Sequence, residues 1–358
     1  MTENENTTGN QPENFDTNNP ETVINPVPLP GAENENINFG SRLDLGALRE
    51  SIESVKHQIS SVIVGQHKMI DQLLVAILAN GHVLLEGVPG VAKTISAKLL
   101  SKTLTLDFSR IQFTPDLMPS DILGTSVFDM SKSSFTFKKG PIFSNFVLID
   151  EINRAPAKTQ AALFEVMEER QITVEGTTYT MEAPFLVIAT QNPIEQEGTY
   201  RLPEAQLDRF LFKITIDYPK LEEEISILQR ENALQDRDKL DKIKEVLSQS
   251  DIIKYQGIVK HIVVEPQLIE YIAKIVIGTR SNNFLYLGAS PRASIAILNA
   301  SKGYAALRGR DFVTPDDIRD AAVPVLQHRV MVAPEREMEG LTSEQIIKQI
   351  IDTVEVPR

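Results

Sequence analysis

Short, nearly uninterrupted apolar runs alternate with helical patterns over much of this chain. Five of these runs predict strands, at residues 82–85, 110–113, 146–149, 185–189 and 210–214. Runs of this kind, separated by helices, are typical of a parallel sheet that is buried on both faces. Before the first run, apolar residues recur at steps of three and four from Leu43 to Val64, which predicts an amphipathic helix. The pattern indicates an α/β fold with a central parallel sheet of five strands.

Beyond Pro219 the apolar pattern becomes helical. We predict helices near 220–233, 239–249, 266–279, 291–307 and 315–328, and a last helix that begins at Thr342. Thr314 and Thr342 are capping residues, and Gln345 completes a capping box with Thr342. The chain is thus divided into an arm at 1–40, an α/β domain at 41–218, a smaller all-helical domain at 219–332 and a C-terminal tail with a helix at 333–358.

Composition narrows the classes of protein that fit this layout. The formal net charge is −13, and residues 1–40 contribute acidic side chains but no Lys or Arg. That arm has too few large apolar residues to offset its ordering entropy, so we expect it to be disordered. The chain has no cysteine, which excludes disulfides, thiol catalysis and cysteine-based metal centres. With neither a signal-peptide pattern nor an apolar run of about 18 residues, we expect a cytoplasmic protein without a membrane span.

A glycine-rich segment joins the first predicted strand to a helix and predicts a phosphate loop. It reads Gly87, Val88, Pro89, Gly90, Val91, Ala92, Lys93 and Thr94. The backbone N–H groups of such a loop attract phosphates, Lys93 would neutralise them, and the Thr94 hydroxyl would hold Mg²⁺. Ala92 replaces the usual glycine before the lysine, so a simple glycine-rich turn is the alternative. The position between a strand and a helix favours nucleotide binding.

Polar groups follow two later strands of the predicted sheet. Asp150 and Glu151 come directly after the run at 146–149, at the strand end where ligands of parallel sheets bind. We expect Asp150 to hold Mg²⁺ through its water shell and Glu151 to activate the attacking water as a general base. Asn192 follows the next run and could contact the γ-phosphate or the water, although alone it would be interpreted as an Asn-Pro turn. Together these groups predict ATP hydrolysis with Mg²⁺.

Two arginines could complete such a site. Arg209 precedes the fifth predicted strand, and Arg292 begins a helix of the second domain. Phosphoryl transfer is assisted when an arginine of the same or a neighbouring chain reaches the developing charge. Each arginine alone would be interpreted as a surface charge, and only the combination with the phosphate loop makes them catalytic candidates.

Residues 43–358 resemble the AAA+ ATPases, and specifically the MoxR family. The resemblance rests on GVPGVAKT at 87–94, LIDEINRAP at 148–156, ATQNP at 189–193, LPEAQLDRFL at 202–211 and GASPRAS at 288–294. It implies Walker A at Lys93 and Thr94, Walker B at Asp150 and Glu151, sensor 1 at Asn192, a finger for a neighbouring subunit at Arg209, sensor 2 at Arg292 and an adenine-binding segment at Val64 and Gly65. Alanine before the lysine belongs to the family pattern, whereas Arg201 stands where proline is frequent.

Two stretches resemble the insertions of this clade. Residues 171–183 predict a hairpin that turns near 175–176. Residues 124–143 predict another, with alternating apolar side chains at Phe128, Met130, Phe135 and Phe137. In related ring ATPases such loops face the pore or a partner. The alternative is that the aromatic side chains cover a local core.

The resemblance implies a fold in which an AAA+ P-loop domain precedes a helical lid. It also implies that the chains form a ring, expected to be a hexamer, and that this ring remodels or matures protein partners. Arg292 would link the lid to the nucleotide, and a partner with a von Willebrand factor A domain is expected on the same ground. A nucleic-acid-dependent motor, a chelatase-type metal-insertion subunit and a nucleotide-gated scaffold are the alternatives. The acidic charge disfavours the motor, histidines without ligand spacing disfavour the chelatase, and intact catalytic candidates disfavour the scaffold.

Overall fold

The structure is a computed structural model that describes residues 45–88, 90–91, 93–131, 133–192, 200, 202–233 and 243–357. Its strands are β1 (His82–Gly87), β2 (Phe108–Gln112), β3 (Gly124–Asp129), β4 (Ser134–Lys139), β5 (Phe146–Asp150), β6 (Gln171–Val174), β7 (Thr177–Thr180), β8 (Leu186–Gln191), β9 (Phe210–Ile216), β10 (Leu285–Leu287) and β11 (Met331–Val332). Its helices are α1 (Gly46–Ser60), α2 (His67–Leu78), α3 (Lys93–Thr103), α4 (Pro119–Leu123), α5 (Ala157–Glu169), α6 (Glu204–Leu207), α7 (Leu221–Ala233), α8 (Gln249–Lys260), α9 (Pro266–Arg280), α10 (Pro291–Leu307), α11 (Pro315–Leu326), α12 (Pro334–Met338) and α13 (Ser343–Thr353).

Strands β2, β5, β8, β1 and β9 form one sheet in this order, and every neighbouring pair is parallel. The prediction of a central parallel sheet of five strands is therefore confirmed. β5 is buried along its whole length, because apolar side chains cover both faces of the sheet. Val83 and Phe212 belong to the cluster on the side of α1–α3, and Leu84 and Phe164 belong to the cluster on the side of α5.

Because all five strands run in one direction, the sheet has a carboxyl edge, where the strands end, and an amino edge, where they begin. Glu86 near the end of β1 pairs with Gln191 at the end of β8. His82 at the start of β1 pairs with Phe210 at the start of β9. Loops that follow β1, β5 and β8 therefore meet at the carboxyl edge, and the segment that precedes β9 lies at the amino edge.

Both predicted hairpins are present. β3 pairs with β4 and β6 pairs with β7 in antiparallel register, and the second hairpin turns at 175–176. Near their bases the ring centroids of Phe137 and Tyr179 lie 4.6 Å apart. At the tip of the first hairpin, Met130 and Phe135 are exposed by 86% and 68%. The alternating apolar residues thus serve local packing at the base and leave an apolar tip in solvent.

The helical region beyond β9 differs from the prediction at one helix. Residues 243–248 are not helical, so the helix expected at 239–249 is wrong in its described part, and the unpredicted α8 follows it. The Ser248 hydroxyl accepts a hydrogen bond from the Asp251 backbone, and the Asp251 carboxylate accepts one from the Ser248 backbone. This capping box was a usable sequence signal for α8. The preceding segment instead donates backbone hydrogen bonds to Thr103 of α3.

The other predicted helices of this region are confirmed. α7, α9, α10 and α11 lie within a few residues of their predicted bounds, and α13 begins after Thr342, whose hydroxyl accepts from the Gln345 backbone. The short pair β10–β11 was not predicted, since two or three residues carry no strand pattern. The domain boundaries at 218 and 332 stay a prediction. None of the helices in the described part of the chain is both long and apolar enough to cross a membrane.

A buried carboxylate organises the turn between α10 and α11. The Asp317 side chain has no exposed surface, and it accepts hydrogen bonds from the Arg310 guanidinium and from the backbone and hydroxyl of Thr314. Arg308 pairs with it as well. Burial raises the pKa of Asp317, but the hydrogen bonds from Arg310 and Thr314 outweigh burial and hold the pKa below its ordinary value.

We predict that Asp317→Ala lowers the free energy of unfolding by about 2–3 kcal/mol, because charged hydrogen bonds and a helix cap are lost. Asp320→Ala is the matched control: Asp320 is the half-exposed partner of Arg308, so its loss should cost about 1 kcal/mol or less. Since the folded pKa of Asp317 is depressed, the difference from wild type should shrink as the pH falls below about 4. Urea unfolding followed by circular dichroism measures these values, and equal losses for the two variants would contradict the assignment.

Candidate functional site

The glycine-rich segment forms the turn from β1 into α3. A Cβ atom on Gly87 would lie 2.9 Å from the Ile216 carbonyl oxygen of β9, so glycine permits the close approach of these strands. Gly90 has φ +89°, a conformation that favours glycine. Lys93 is the first residue of α3, and its Nζ donates to the Gly87 carbonyl at 2.6 Å, so the side chain folds back over the turn. The backbone and helix polarity at this turn suit a phosphate group.

The structure describes some of the other residues of the predicted phosphate loop. Thr94 is the second residue of α3, and Val91 is buried in the apolar cluster beside it. Val88 packs against the same cluster. The predictions for Pro89 and Ala92 lie outside the described residues.

The segment predicted to contact adenine lies at the same edge of the sheet. Gly65 has φ +68° and packs against the Glu223 carboxylate at the start of α7, and Val64 is half-buried beside it. The neighbouring Gln66 side chain donates to the Asp217 carbonyl at 3.4 Å, directly after β9. Because Ile216 at the end of β9 pairs with the last residue of β1, Val64 and Gly65 are brought to the carboxyl edge with the glycine-rich turn.

Asp150 ends β5 at this edge and is buried. Its Oδ2 accepts a hydrogen bond from Nε of Arg110 at 2.6 Å, and its Oδ1 accepts one from the Thr190 hydroxyl at 3.2 Å. Neither partner was indicated by the sequence motifs. Arg110 lies on β2, next to β5, and its pairing with Asp150 follows from the register of these two strands.

Glu151 adopts a left-handed backbone conformation, with φ +59°, which is uncommon for a residue with a side chain. Its backbone N–H donates to the Thr190 hydroxyl at 3.1 Å. Its Oε2 accepts one hydrogen bond from Gln112 at 2.9 Å and pairs with Arg154 at 3.0 Å. These contacts hold the carboxylate of Glu151 at the carboxyl edge of the sheet. Gln112 and Arg154 are further partners that the motifs did not indicate.

Asn192 completes the group at this edge. It directly follows β8, which lies between β5 and β1, and it is 8% exposed. The structure thus brings Lys93, Asp150, Glu151 and Asn192 to one edge of the sheet. The hydroxyl of Thr94 and the carboxylate of Asp150 are oxygen groups of the kind that Mg²⁺ takes, and Mg²⁺ at a phosphate site needs only one or two protein ligands. The residues therefore fit a Mg²⁺–nucleotide complex.

The side chains of the two candidate arginines lie away from this group, and both contact α5. Arg209 donates through Nη1 to the Phe164 carbonyl, and Nη2 of Arg292 lies 3.2 Å from the Glu168 carboxylate. Phe164 and Glu168 are four residues apart, so the two arginines dock about one helical turn from each other.

Both arginines lie near the amino edge of the sheet. Arg209 directly precedes Phe210, which pairs with the first residue of β1, whereas Lys93 follows the last residue of β1. The strand between them is about 17 Å long. Among the described residues, neither arginine is brought to the glycine-rich turn of its own chain. The expectation that Arg292 links the helical region to the nucleotide of the same chain is not supported by this arrangement.

Comparison with known proteins agrees with this geometry. The sequence profile of the "ATPase family associated with various cellular activities (AAA)" matches residues 82–212, and the profile of the "AAA lid domain" matches residues 277–350. The chain is 42% identical to Chaperone MoxR1 of Mycobacterium tuberculosis over 89% of this chain and 86% of the relative. It is 46% identical to the uncharacterized protein YeaC of Bacillus subtilis over 85% of this chain and 94% of that protein.

A solved structure shows the same fold. The crystal structure of a Cytophaga hutchinsonii protein assigned as an ATPase superposes with a TM-score of 0.81 at 42% identity, over 88% of this chain and 97% of that chain. The similarity thus extends across the sheet and the helical region.

We predict that Lys93→Ala weakens ATP binding by about 10- to 100-fold, because one charged hydrogen bond to phosphate contributes roughly 1.5–3 kcal/mol. Lys98→Ala is the matched control, since Lys98 lies on the same helix with an exposed side chain. Titration with a fluorescent ATP analogue measures both affinities. Equal affinities for the two variants would place the phosphates elsewhere.

Proposed function

This chain belongs to the MoxR family of AAA+ ATPases, and we propose that it uses Mg²⁺-dependent ATP hydrolysis, in a ring of identical chains, to remodel or mature a protein partner. The separation of the candidate groups supports this proposal. Lys93, Asp150 and Glu151 lie at the carboxyl edge of the sheet, and Arg209 and Arg292 lie at the amino edge. A second chain that presents its amino edge to the carboxyl edge of the first would complete the site.

Each group has a distinct role in the proposed reaction. Lys93 neutralises the phosphates, and Thr94 and Asp150 hold Mg²⁺, which offsets charge on the phosphoryl oxygens. Glu151, held by Gln112 and Arg154, orients and polarises the attacking water.

The remaining groups act at the phosphate that is transferred. Asn192 contacts the γ-phosphate or the water. Arg209 and Arg292 of the neighbouring chain then stabilise the charge that develops on the transferred group. A hexamer is the ring that the family resemblance favours.

The exposed tip of the first hairpin is the surface that we assign to the partner. Val127, Phe128, Met130 and Phe135 leave apolar side chains in solvent there. Contiguous exposed apolar surface is typical of sites that bind other proteins. A relative of this chain is named a chaperone, which is consistent with a protein partner. A partner with a von Willebrand factor A domain remains part of the proposal on the ground of resemblance. The cytoplasmic location stays a prediction of the sequence.

We predict that ATP turnover per chain rises with protein concentration, because the site is completed between chains. Glu151→Gln should lower turnover by at least about 100-fold, the usual contribution of a general base. Glu165→Gln, an exposed glutamate on α5, is the matched control and should retain turnover. A phosphate-release assay over a dilution series, with Mg²⁺, measures these rates. Turnover that is independent of concentration, together with a monomer in sedimentation, would contradict a site shared between chains.

We predict that Glu151→Gln chains loaded with ATP retain a protein partner during affinity purification, because the partner is held while hydrolysis is blocked. The double variant Glu151→Gln, Met130→Ser should retain less of the same partner, since it changes the exposed hairpin tip without touching the nucleotide site. Mass spectrometry of the bound fractions measures both. Recovery of no partner in any nucleotide state would count against a remodelling function.

A further inference from the structure

Arg329 lies in the turn between α11 and β11, and its side chain is 4% exposed. Its Nε donates to Asp208 Oδ1 at 2.6 Å and its Nη2 donates to the carbonyls of Asp208 and Phe210. Its Nη1 donates to the carbonyls of Val325 and Leu211. All five guanidinium N–H groups can thus be used, which only arginine can do. A buried charge with this many partners enforces one arrangement of the atoms around it.

These hydrogen bonds bracket Arg209. Asp208 and Phe210 are its two neighbours in the chain, and both carbonyls accept from the same nitrogen of Arg329. The buried His328 ring also contacts the Phe210 carbonyl, at 3.0 Å from Nε2. The backbone that carries Arg209 is therefore held from both sides by a turn of the helical region.

The Asp208 carboxylate also contacts the helix that carries Arg292. The Ser290 hydroxyl donates to Asp208 Oδ2 at 3.3 Å, and Ser290 is the N-cap residue of α10, two positions before Arg292. Burial is the main cause that lowers the pKa of Arg329, the Asp208 carboxylate opposes it, and the nearby positive charge of Arg292 lowers it further. Through Asp208, Arg329 is thus connected both to the backbone that carries Arg209 and to the helix that carries Arg292.

We propose that Arg329 is a positioning residue that holds Arg209 and Arg292 as one unit for the nucleotide of the neighbouring chain. This inference rests on the proposed function, in which both arginines act between chains. Arg329 is 4% exposed and its N–H groups face oxygen atoms of the protein, so it acts only through the two arginines. The competing explanation is that Arg329 only stabilises the fold. In that case, its substitution should lower both the stability of the chain and its affinity for ATP.

The test is Arg329→Lys, which keeps the charge but cannot make the planar set of hydrogen bonds. We expect turnover to fall by about 10- to 100-fold, because displacement of a catalytic group by about 1 Å has an effect of this size. The affinity of the dilute chain for ATP should not change, since its own phosphate turn is intact. Arg310→Lys is the matched control, because Arg310 also pairs with a buried aspartate but lies away from Arg209, and it should retain turnover.

Mixing chains separates positioning from folding. Arg329→Lys chains keep a complete carboxyl edge, and Glu151→Gln chains keep complete arginines, so excess Glu151→Gln should restore turnover at the Arg329→Lys sites. Arg209→Ala mixed with Glu151→Gln is the positive control and should recover in the same way. Ser290→Ala is a milder second variant, because Ser290 makes no side-chain cap bond, and it should show a smaller loss with the same recovery.

The outcomes are distinct. If the Arg209→Ala mixture recovers but the Arg329→Lys and Ser290→Ala mixtures do not, the positioning role is wrong and the proposed function stands. Unchanged turnover of Arg329→Lys alone, or a loss of ATP affinity equal to its loss of turnover, would also overturn the role. If the Arg209→Ala mixture does not recover, the shared site itself is wrong, and the positioning role falls with it.

Discussion

The polarity of a parallel sheet is the constraint from which the placement of every candidate group follows. All strands of the central sheet run in one direction, so the loops after β1, β5 and β8 meet at one edge, and the segment before β9 lies at the other. Residues that follow strands can form a nucleotide site within one chain. Residues that precede a strand cannot join them, because the length of the strand lies between. In the proposed function, the chain therefore carries two halves of a shared site on opposite edges.

Pairs of an arginine and an aspartate in which at least one partner is buried recur at three places in the structure. Asp150 pairs with Arg110 at the carboxyl edge, Asp208 with Arg329 at the amino edge, and Asp317 with arginines between two helices. A buried charge is unfavourable unless its partner is well placed, so each pair requires that its two segments dock in one arrangement. Two of the three pairs lie beside residues that we assign to catalysis.

The helical region is bound to the sheet through these same contacts. Arg329 and His328, which follow α11, contact the backbone at the start of β9, and apolar side chains of α10 and α11 share one cluster with α1–α3. The backbone that carries Arg209 is therefore in direct contact with the helical region. In the proposed ring, this contact would connect the helical region of one chain with hydrolysis in its neighbour.

The sequence by itself determined the five strands, most helices, both hairpins and the identity of the motif residues, because these depend on local periodicity and on spacing along the chain. It also placed Asp150, Glu151 and Asn192 at strand ends, which is a local property. It did not reveal Arg110, Gln112 or Thr190, whose contacts with Asp150 and Glu151 arise only when separate strands align. The helix at 249–260 was missed although its capping box was present. Only the tertiary structure decided that the side chains of Arg209 and Arg292 both contact α5, away from their own phosphate turn, because these contacts join segments that are far apart in the chain and no pattern within one segment reveals them.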